Sequence, residues 1–497
     1  MDLTTKDGYG TKQPRGGATT LLDLVTRDDQ DYNMFPTTAS VSRFVRDEGV
    51  RTIPFATIFR EYTFRGSADF GQVIMFDLLP AASGDLLQGL YVQIKLGDWL
   101  PDIVRERLRS DLHEFQDPNT AWTYSNSLGT ILLDEATLEV DDQVLEKITG
   151  DACNVVSTLF PDMNTALGLT EILGRQTIDE VKAWTGKTVT PTEDAWITIP
   201  LGFSMLRERL TATFPLVACR DGTVRVRLTL KPFSQIVRSI SGSKECNDTP
   251  IGKLAELFDL RFPNRGKIAL DVPSLDGMPK MKHVQLLTHG ILVDGPYREM
   301  LLRQPFERPF REIQQFDFTE PLKYVVNKSG SDSITVQLPL EANQPVEEIV
   351  WFLRRKAAIK VNSDWVNYSA VLEKDYDPVF SPLEPLLKSA KIQGNGMDFI
   401  SQDEDWFRSH ISRAHKGGRS SYDSFIYGYS FAREPGEHNP TGSINASRLS
   451  TLRLTLEVKP PMATATSADT EWEVRVFVFA FQWLRFENGI CNKLFID

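Results

Sequence analysis

Apolar and polar residues alternate with a period of two along much of the chain. Leu90, Val92, Ile94 and Leu96 alternate with Tyr91, Gln93 and Lys95. Val224, Val226, Leu228 and Leu230 alternate with Arg225, Arg227 and Thr229. The same pattern returns over Ile334–Leu340 and Leu452–Val458. Successive side chains of a strand point to opposite faces, so each run predicts a strand with one face on a core. Trp472–Leu484 starts by alternating. It then turns apolar on both faces through Phe477, Val478, Phe479, Ala480 and Phe481, which predicts an interior strand.

Helical patterns are few. Asp151–Phe160 has an acid at its start and apolar spacing, and Thr170–Trp184 reads as one or two short helices. Gly295–Arg303 opens with Gly-Pro, and proline suits a first helical turn. Strands and helices do not alternate regularly, which argues against a parallel α/β sheet. Asp141-Asp142 predicts a hairpin turn, and Gly394-Asn395-Gly396 predicts a turn. The irregular stretch Ala357–Ser424 reads as long exposed loops.

One segment echoes another. Thr223–Pro232 reads TVRVRLTLKP and Thr451–Pro460 reads TLRLTLEVKP, with the apolar positions in phase. Chance likeness between two alternating strands is one reading. A duplicated β domain, with this strand equivalent in both copies, is the other. The polar stretch Ser239–Pro250 then suits a linker.

The chain has 497 residues, of which 41% are hydrophobic and 25% charged, so it can bury large cores. Its net charge of -12 argues against a surface that wraps nucleic acid directly. The four cysteines, Cys153, Cys219, Cys246 and Cys491, form no CxxC pair and read as free thiols. Met1–Gly17 has no apolar run of the secretory type, and no stretch reaches the roughly 18 to 20 apolar residues of a membrane span.

Enzymatic motifs are missing from the pattern. Gly186-Lys187-Thr188 resembles the end of a phosphate loop, but Val181 stands where that loop needs its first glycine. No HExxH occurs among the six histidines, and His283 and His289 lie about 20 Å apart along one predicted strand. His410 and His415 fall in a polar loop, and Asp403-Glu404-Asp405 reads as a solvated one. No cofactor, metal or catalytic residue is expected. Sequons stand at Asn247, Asn327, Asn367 and Asn445 as candidate N-glycosylation sites.

Tyr429–Val458 carries the most specific signal. Pro435, Glu437, His438, Pro440 and Gly442, followed by Asn445, Ser447 and Arg448, resemble a C-terminal signature of the major capsid proteins of nucleocytoplasmic large DNA viruses. That family shows Pro-Glu-Glu-His-Gln-Pro-Ser-Gly, then Asn-x-Ser-Arg, then an alternating strand. Here Gly436 replaces an acid, Asn439 replaces Gln, and Thr441 replaces Ser. Leu21–Pro36, Phe59–Phe64, Gly129–Val144, Ile199–Phe203, Phe214–Ala218 and Val346–Leu353 resemble further family elements in the expected order.

The resemblance implies an all-β chain. Its two tandem eight-stranded antiparallel jelly rolls would carry short helical and loop insertions. The expected division is an N-terminal arm over residues 1–50, a first jelly roll over 51–240, a linker over 241–262 and a second jelly roll over 263–497. It further implies a homotrimeric shell tile of an icosahedral virion, assembled in the host cytoplasm. Its partners would be copies of itself, neighbouring capsomers and minor capsid proteins, with an internal viral membrane contacted indirectly. Pro435, Pro440 and Gly442 are expected to shape a turn, and Arg448 to form a buried pair or an inter-subunit contact. Rival readings are a minor capsid or vertex protein of the same fold, and a carbohydrate-binding or hydrolytic jelly roll.

Overall fold

The computed structural model describes residues 53–96, 121–175, 196–204, 213–240, 246–247, 281–323, 333–358, 365–372, 379–415, 425–459 and 471–494, with breaks of one or two residues inside some spans. The expected arm lies outside these residues, as does the expected linker apart from Cys246–Asn247.

The first sandwich takes its strands in this order: β1 (Phe55–Tyr62), β2 (Val73–Leu78), β3 (Leu86–Leu96), β4 (Leu133–Val140), β5 (Gln143–Thr149), β6 (Trp196–Pro200), β7 (Val224–Leu230) and β8 (Met281–Val293). One sheet runs β1-β8-β3-β6 and the other β2-β7-β4-β5, all antiparallel. The second sandwich has β9 (Phe306–Lys323), β10 (Ile334–Pro339), β11 (Pro345–Arg355), β12 (Leu387–Gly394), β13 (Met397–Asp403), β14 (Tyr427–Ser430), β15 (Leu452–Val458) and β16 (Glu471–Glu487). Its sheets run β9-β16-β11-β14 and β10-β15-β12-β13. That is the first order with every label raised by eight. Two sheets linked in this way are a jelly roll, and the chain holds two of them. A short strand, β17 (Ile490–Lys493), adds to β16.

The echoed segments are β7 and β15. Each lies between the second and fourth strands of its sandwich, so the duplicated-strand reading describes the topology. Both alternate as expected, with Val224, Val226, Leu228, Leu230, Leu452, Leu454, Leu456 and Val458 all buried.

Met281–Val293, expected at the start of the second jelly roll, instead hydrogen-bonds between β1 and β3 in the first. The first sandwich therefore closes at Val293, beyond the expected boundary at residue 240. Linear order hid this, because a jelly roll sets its last strand beside its first, and only long-range pairing reveals where a sandwich ends.

Between the strands lie α1 (Gly150–Leu159), α2 (Met163–Ile172), α3 (Gly295–Arg303) and α4 (Glu404–Ala414). Thr149 caps α1 by accepting from the Ala152 N–H at 3.2 Å, and Asp294 caps α3 through the Tyr297 N–H at 3.3 Å. The expected helix over Thr170–Trp184 overlaps only the end of α2, and residues 176–184 lie outside the described ones. Among its described residues the stretch Ala357–Ser424 is mostly regular, holding the β12–β13 hairpin and α4. Glycine and polar residues there mark one tight turn, with Asn395 at φ 51° and Gly396 at φ 79°.

Asp141 and Asp142 form the β4–β5 turn with φ of 49° and 64°, a left-handed pair that glycine adopts without cost. Asp142→Gly removes about 1 kcal/mol of backbone strain. It also removes an exposed ion pair with Arg225 at 2.9 Å, worth about 0 to 1 kcal/mol. Chemical denaturation is expected to find the variant equally stable or about 1 kcal/mol more stable. A loss above about 1 kcal/mol would mean that the ion pair outweighs the strain.

Candidate functional site

The residues from Phe55 onward form one compact unit, and its largest apolar cluster draws on both sandwiches. Strands β11 and β16 explain this. Val474, Val476 and Val478 lie on one face of β16 and are fully buried. On the other face, Phe479 meets Phe160 of the first sandwich with ring centroids 5.4 Å apart. Both faces of β16 are therefore covered, which is why its sequence turns apolar on both.

This interface contains a buried charge cluster. Arg354 of β11 is 0% exposed. Its Nη1 donates to Asp151 of α1 at 3.0 Å, and its Nη2 to Glu473 of β16 at 2.6 Å. Nη1 also donates to the Trp365 carbonyl at 2.9 Å, and the Trp365 indole N–H donates to Asp151 at 3.1 Å. Burial opposes ionisation of Asp151, but Arg354, Lys231 and Arg475 outweigh it and hold its carboxyl below the usual range. Lys231, just after β7, lies 3.6 Å from the Trp365 ring centroid, and burial lowers it to about 8. Beside the cluster, Asn154 donates to the Tyr368 hydroxyl at 2.7 Å, and Tyr368 stacks on Phe352 at 3.9 Å. Charges buried at such a junction fix one relative placement, because any slip leaves them unpaired.

A second buried pair anchors the β14–β15 connection, which holds the signature residues. Arg311 of β9 donates to both carboxylate oxygens of Glu347 on β11, at 2.5 and 3.1 Å, and also to the Glu437 carbonyl. Arg311 is 2% and Glu347 0% exposed. The Phe431 N–H donates to the Glu347 carbonyl at 2.8 Å. Within the loop, Thr441 Oγ1 accepts from the Glu434 N–H and donates to the Glu434 carbonyl, both at 2.9 Å. Pro435 is buried, Pro440 is exposed, and a Cβ on Gly442 would lie 2.7 Å from the Phe431 carbonyl oxygen. Ser447 Oγ accepts from the Gln344 N–H at 2.9 Å. His438 lies outside the described residues. The signature thus closes one end of the second sandwich.

Residues 311–492 match the large eukaryotic DNA virus major capsid protein family. The chain is similar to the major capsid proteins of large DNA viruses. Over 454 residues it is 22% identical to the major capsid protein of Pyramimonas orientalis virus, covering 86% of this chain and 88% of that one. The fold of the chain is that of the PBCV-1 virus capsid, with a TM-score of 0.63 and 17% identity over 91% of this chain and 100% of the other. The Faustovirus major capsid protein gives a TM-score of 0.62 and 12% identity over 93% and 95%.

Several expected site residues stand differently in the structure. Arg448 is exposed on the 3-10 turn Ala446–Arg448, so the buried pair expected of it does not form within the chain. Asn445 is exposed. The Asn367 amide donates to the Val371 carbonyl at 2.9 Å, and its oxygen accepts from the Ser369 N–H at 3.0 Å. Asn327 and the Asn247 side chain lie outside the described residues. His289 stacks on Phe59 at 4.4 Å, while His283 accompanies Gln285 at 2.9 Å. His410 and His415, expected in a loop, belong to α4 and its C-terminal cap. His415 Nε2 lies 2.8 Å from buried Glu348.

Asp403-Glu404-Asp405, expected as a solvated loop, starts α4 instead. Acids suit that end, where free N–H groups and the helix dipole favour negative charge. Glu404 is buried and pairs with Arg408 at 3.0 Å. Burial, with Asp405 beside it, pushes its carboxyl up to about 7. This folded value exceeds the unfolded one of about 4.3. The folded chain therefore binds the proton more readily, and this contribution to stability is lost as pH rises through about 7. Glu404→Gln is expected to flatten the fall in melting temperature between pH 5 and 8. An unchanged pH profile would show that Glu404 is not its source.

Arg311, Glu347, Asp151, Arg354 and Glu473 gave no motif in the sequence. The available signal was charge inside apolar runs, as in VEEIVWFLRR and EWEVRVFVF. Charged side chains are almost never fully buried without a partner, so such runs call for one elsewhere in the chain.

Proposed function

We propose that this major capsid protein forms homotrimeric, pseudo-hexagonal capsomers that tile the icosahedral shell of a large double-stranded DNA virus, assembled in the host cytoplasm. One observation carries the reading: two sandwiches of the same strand order lie in one chain. Three chains then present six similar wedges, which fit a hexagonal lattice while needing only closed three-fold symmetry. Self-association is further supported by β1, an edge strand among the described residues, with Phe55 61% and Phe59 57% exposed. Open edges and apolar patches of this kind are normally covered by another chain.

The partners in this reading are further capsomers and minor capsid proteins. An internal membrane is met only indirectly, and nucleic acid not at all. Arg448, exposed at the signature end, makes an inter-subunit contact, and Asn445 is the more accessible candidate for a glycan than Asn367. The role is structural, not enzymatic.

Light scattering on the purified full-length chain is expected to give three times its mass. A monomer across the concentrations at which shells assemble would overturn the trimer. Mass-spectrometric copy counting in virions separates this reading from that of a minor or vertex protein, which would be present in few copies.

A further inference from the structure

The last strand of the second sandwich reaches back to the first. Cys491 lies in β17, and Cys219 ends the 3-10 turn Leu216–Cys219 that precedes β7. Both are thiols, 1% and 0% exposed, on segments packed against each other. Backbone contacts hold the two segments in register. The Asp221 N–H donates to the Gly489 carbonyl at 3.1 Å, and Phe214 meets Phe486 edge-on at 5.7 Å. Two thiols from different sandwiches, far apart in sequence, are thus held side by side in an apolar setting.

We propose that Cys219 and Cys491 are a disulfide-forming pair that staples the two sandwiches together when the chain meets a small-molecule disulfide oxidant. The step is thiol–disulfide exchange. One cysteine thiolate attacks a sulfur of a disulfide such as oxidised glutathione and expels one glutathione thiolate. The second cysteine thiolate attacks the resulting mixed disulfide at the protein sulfur and expels the other. Two electrons pass from the protein thiols to glutathione, and the two protons given up by the cysteines end on the released thiols.

The neighbouring Cys491 thiol and burial hold the Cys219 thiol well above the ordinary thiol range, so it is a poor nucleophile while the site is closed. Exchange therefore needs β17 to peel away. That strand is four residues long and pairs only with β16 among the described residues. Short, singly paired elements of this kind open at far lower cost than a sandwich core. Slow oxidation follows: the pair stays reduced in a reducing cytosol and closes in an oxidising medium.

The test uses the purified full-length chain with millimolar oxidised glutathione, in buffer and in urea below the unfolding midpoint, which raises opening of β17. Non-reduced digests are then read by mass spectrometry. The expected product is a linked Cys219–Cys491 peptide pair, formed faster in urea. It should come with a rise of several degrees in melting temperature that a reductant reverses. Cys219→Ser and Cys491→Ser should each abolish the link and the rise. Singly glutathionylated or unmodified Cys219 and Cys491 under both conditions would overturn the proposal, as would linkage of either to Cys153 or Cys246.

Discussion

Arg354→Ala is expected to lower the stability of this protein by about 3 to 5 kcal/mol, the usual cost of removing one partner from a buried ion pair. The substitution leaves Asp151 and Glu473, 7% and 3% exposed, without the guanidinium that both face. Lys231 and Arg475 then remain as the cations beside Asp151, with Arg475 3.7 Å from Glu473. Asp151 belongs to α1 of the first sandwich and Glu473 to β16 of the second, so the loss falls on the junction as well as on either core. Thermal melting followed by circular dichroism should show a drop of several degrees. The loss should shrink at acid pH, where the carboxylates of the variant become protonated. In the unsubstituted chain the sign is reversed. The depressed Asp151 carboxyl contributes stability above the unfolded carboxyl range, and that contribution is lost as pH falls through its lower folded value. A double-mutant cycle with Asp151→Ala should give a loss well below the sum of the two single losses. Strict additivity, or an unchanged melting temperature for Arg354→Ala, would show that the cluster does not couple the sandwiches.

Arg311→Ala should cost a similar amount, about 3 to 5 kcal/mol, but at a different place. Glu347 would remain 0% exposed with its bidentate partner gone, and the Glu437 carbonyl would lose a charged donor. Burial already pushes Glu347 upward, so it would take up a proton more readily still. The β14–β15 connection would then hang on the Phe431–Glu347 backbone bond and the contacts within the loop. Arg433 is exposed there, so limited trypsin digestion should cut after it faster in the variant. Arg311→Lys keeps the charge but not the planar two-pronged geometry, and should fall between the two. Equal cleavage rates in all three proteins would remove Arg311 as the anchor of the loop.

Both predictions rest on residues that carried no motif, which reflects what a linear pattern can record. Alternation depends on the face each residue presents, a local property, and so it marked β3, β7 and β15 by position and phase. It also marked β16 as interior, since a strand covered on both sides must be apolar on both. Turn chemistry was equally local at Asp141-Asp142 and Asn395-Gly396, where the backbone is left-handed. It misled over Ala357–Ser424, because the polar residues that suggest loops also start helices, and α4 opens on three acids.

The sequence by itself determined the all-β character, which follows from local periodicity, while the two like sandwiches were what the resemblance around Pro435–Arg448 implied. The tertiary structure alone decided where the first sandwich ends, since β8 is placed by pairing with β1 and β3 from more than 180 residues upstream. It alone decided which charges are buried together and that Cys219 lies against Cys491. Partners that meet only after folding are chosen by long-range packing, and nothing in their immediate neighbours along the chain records that choice.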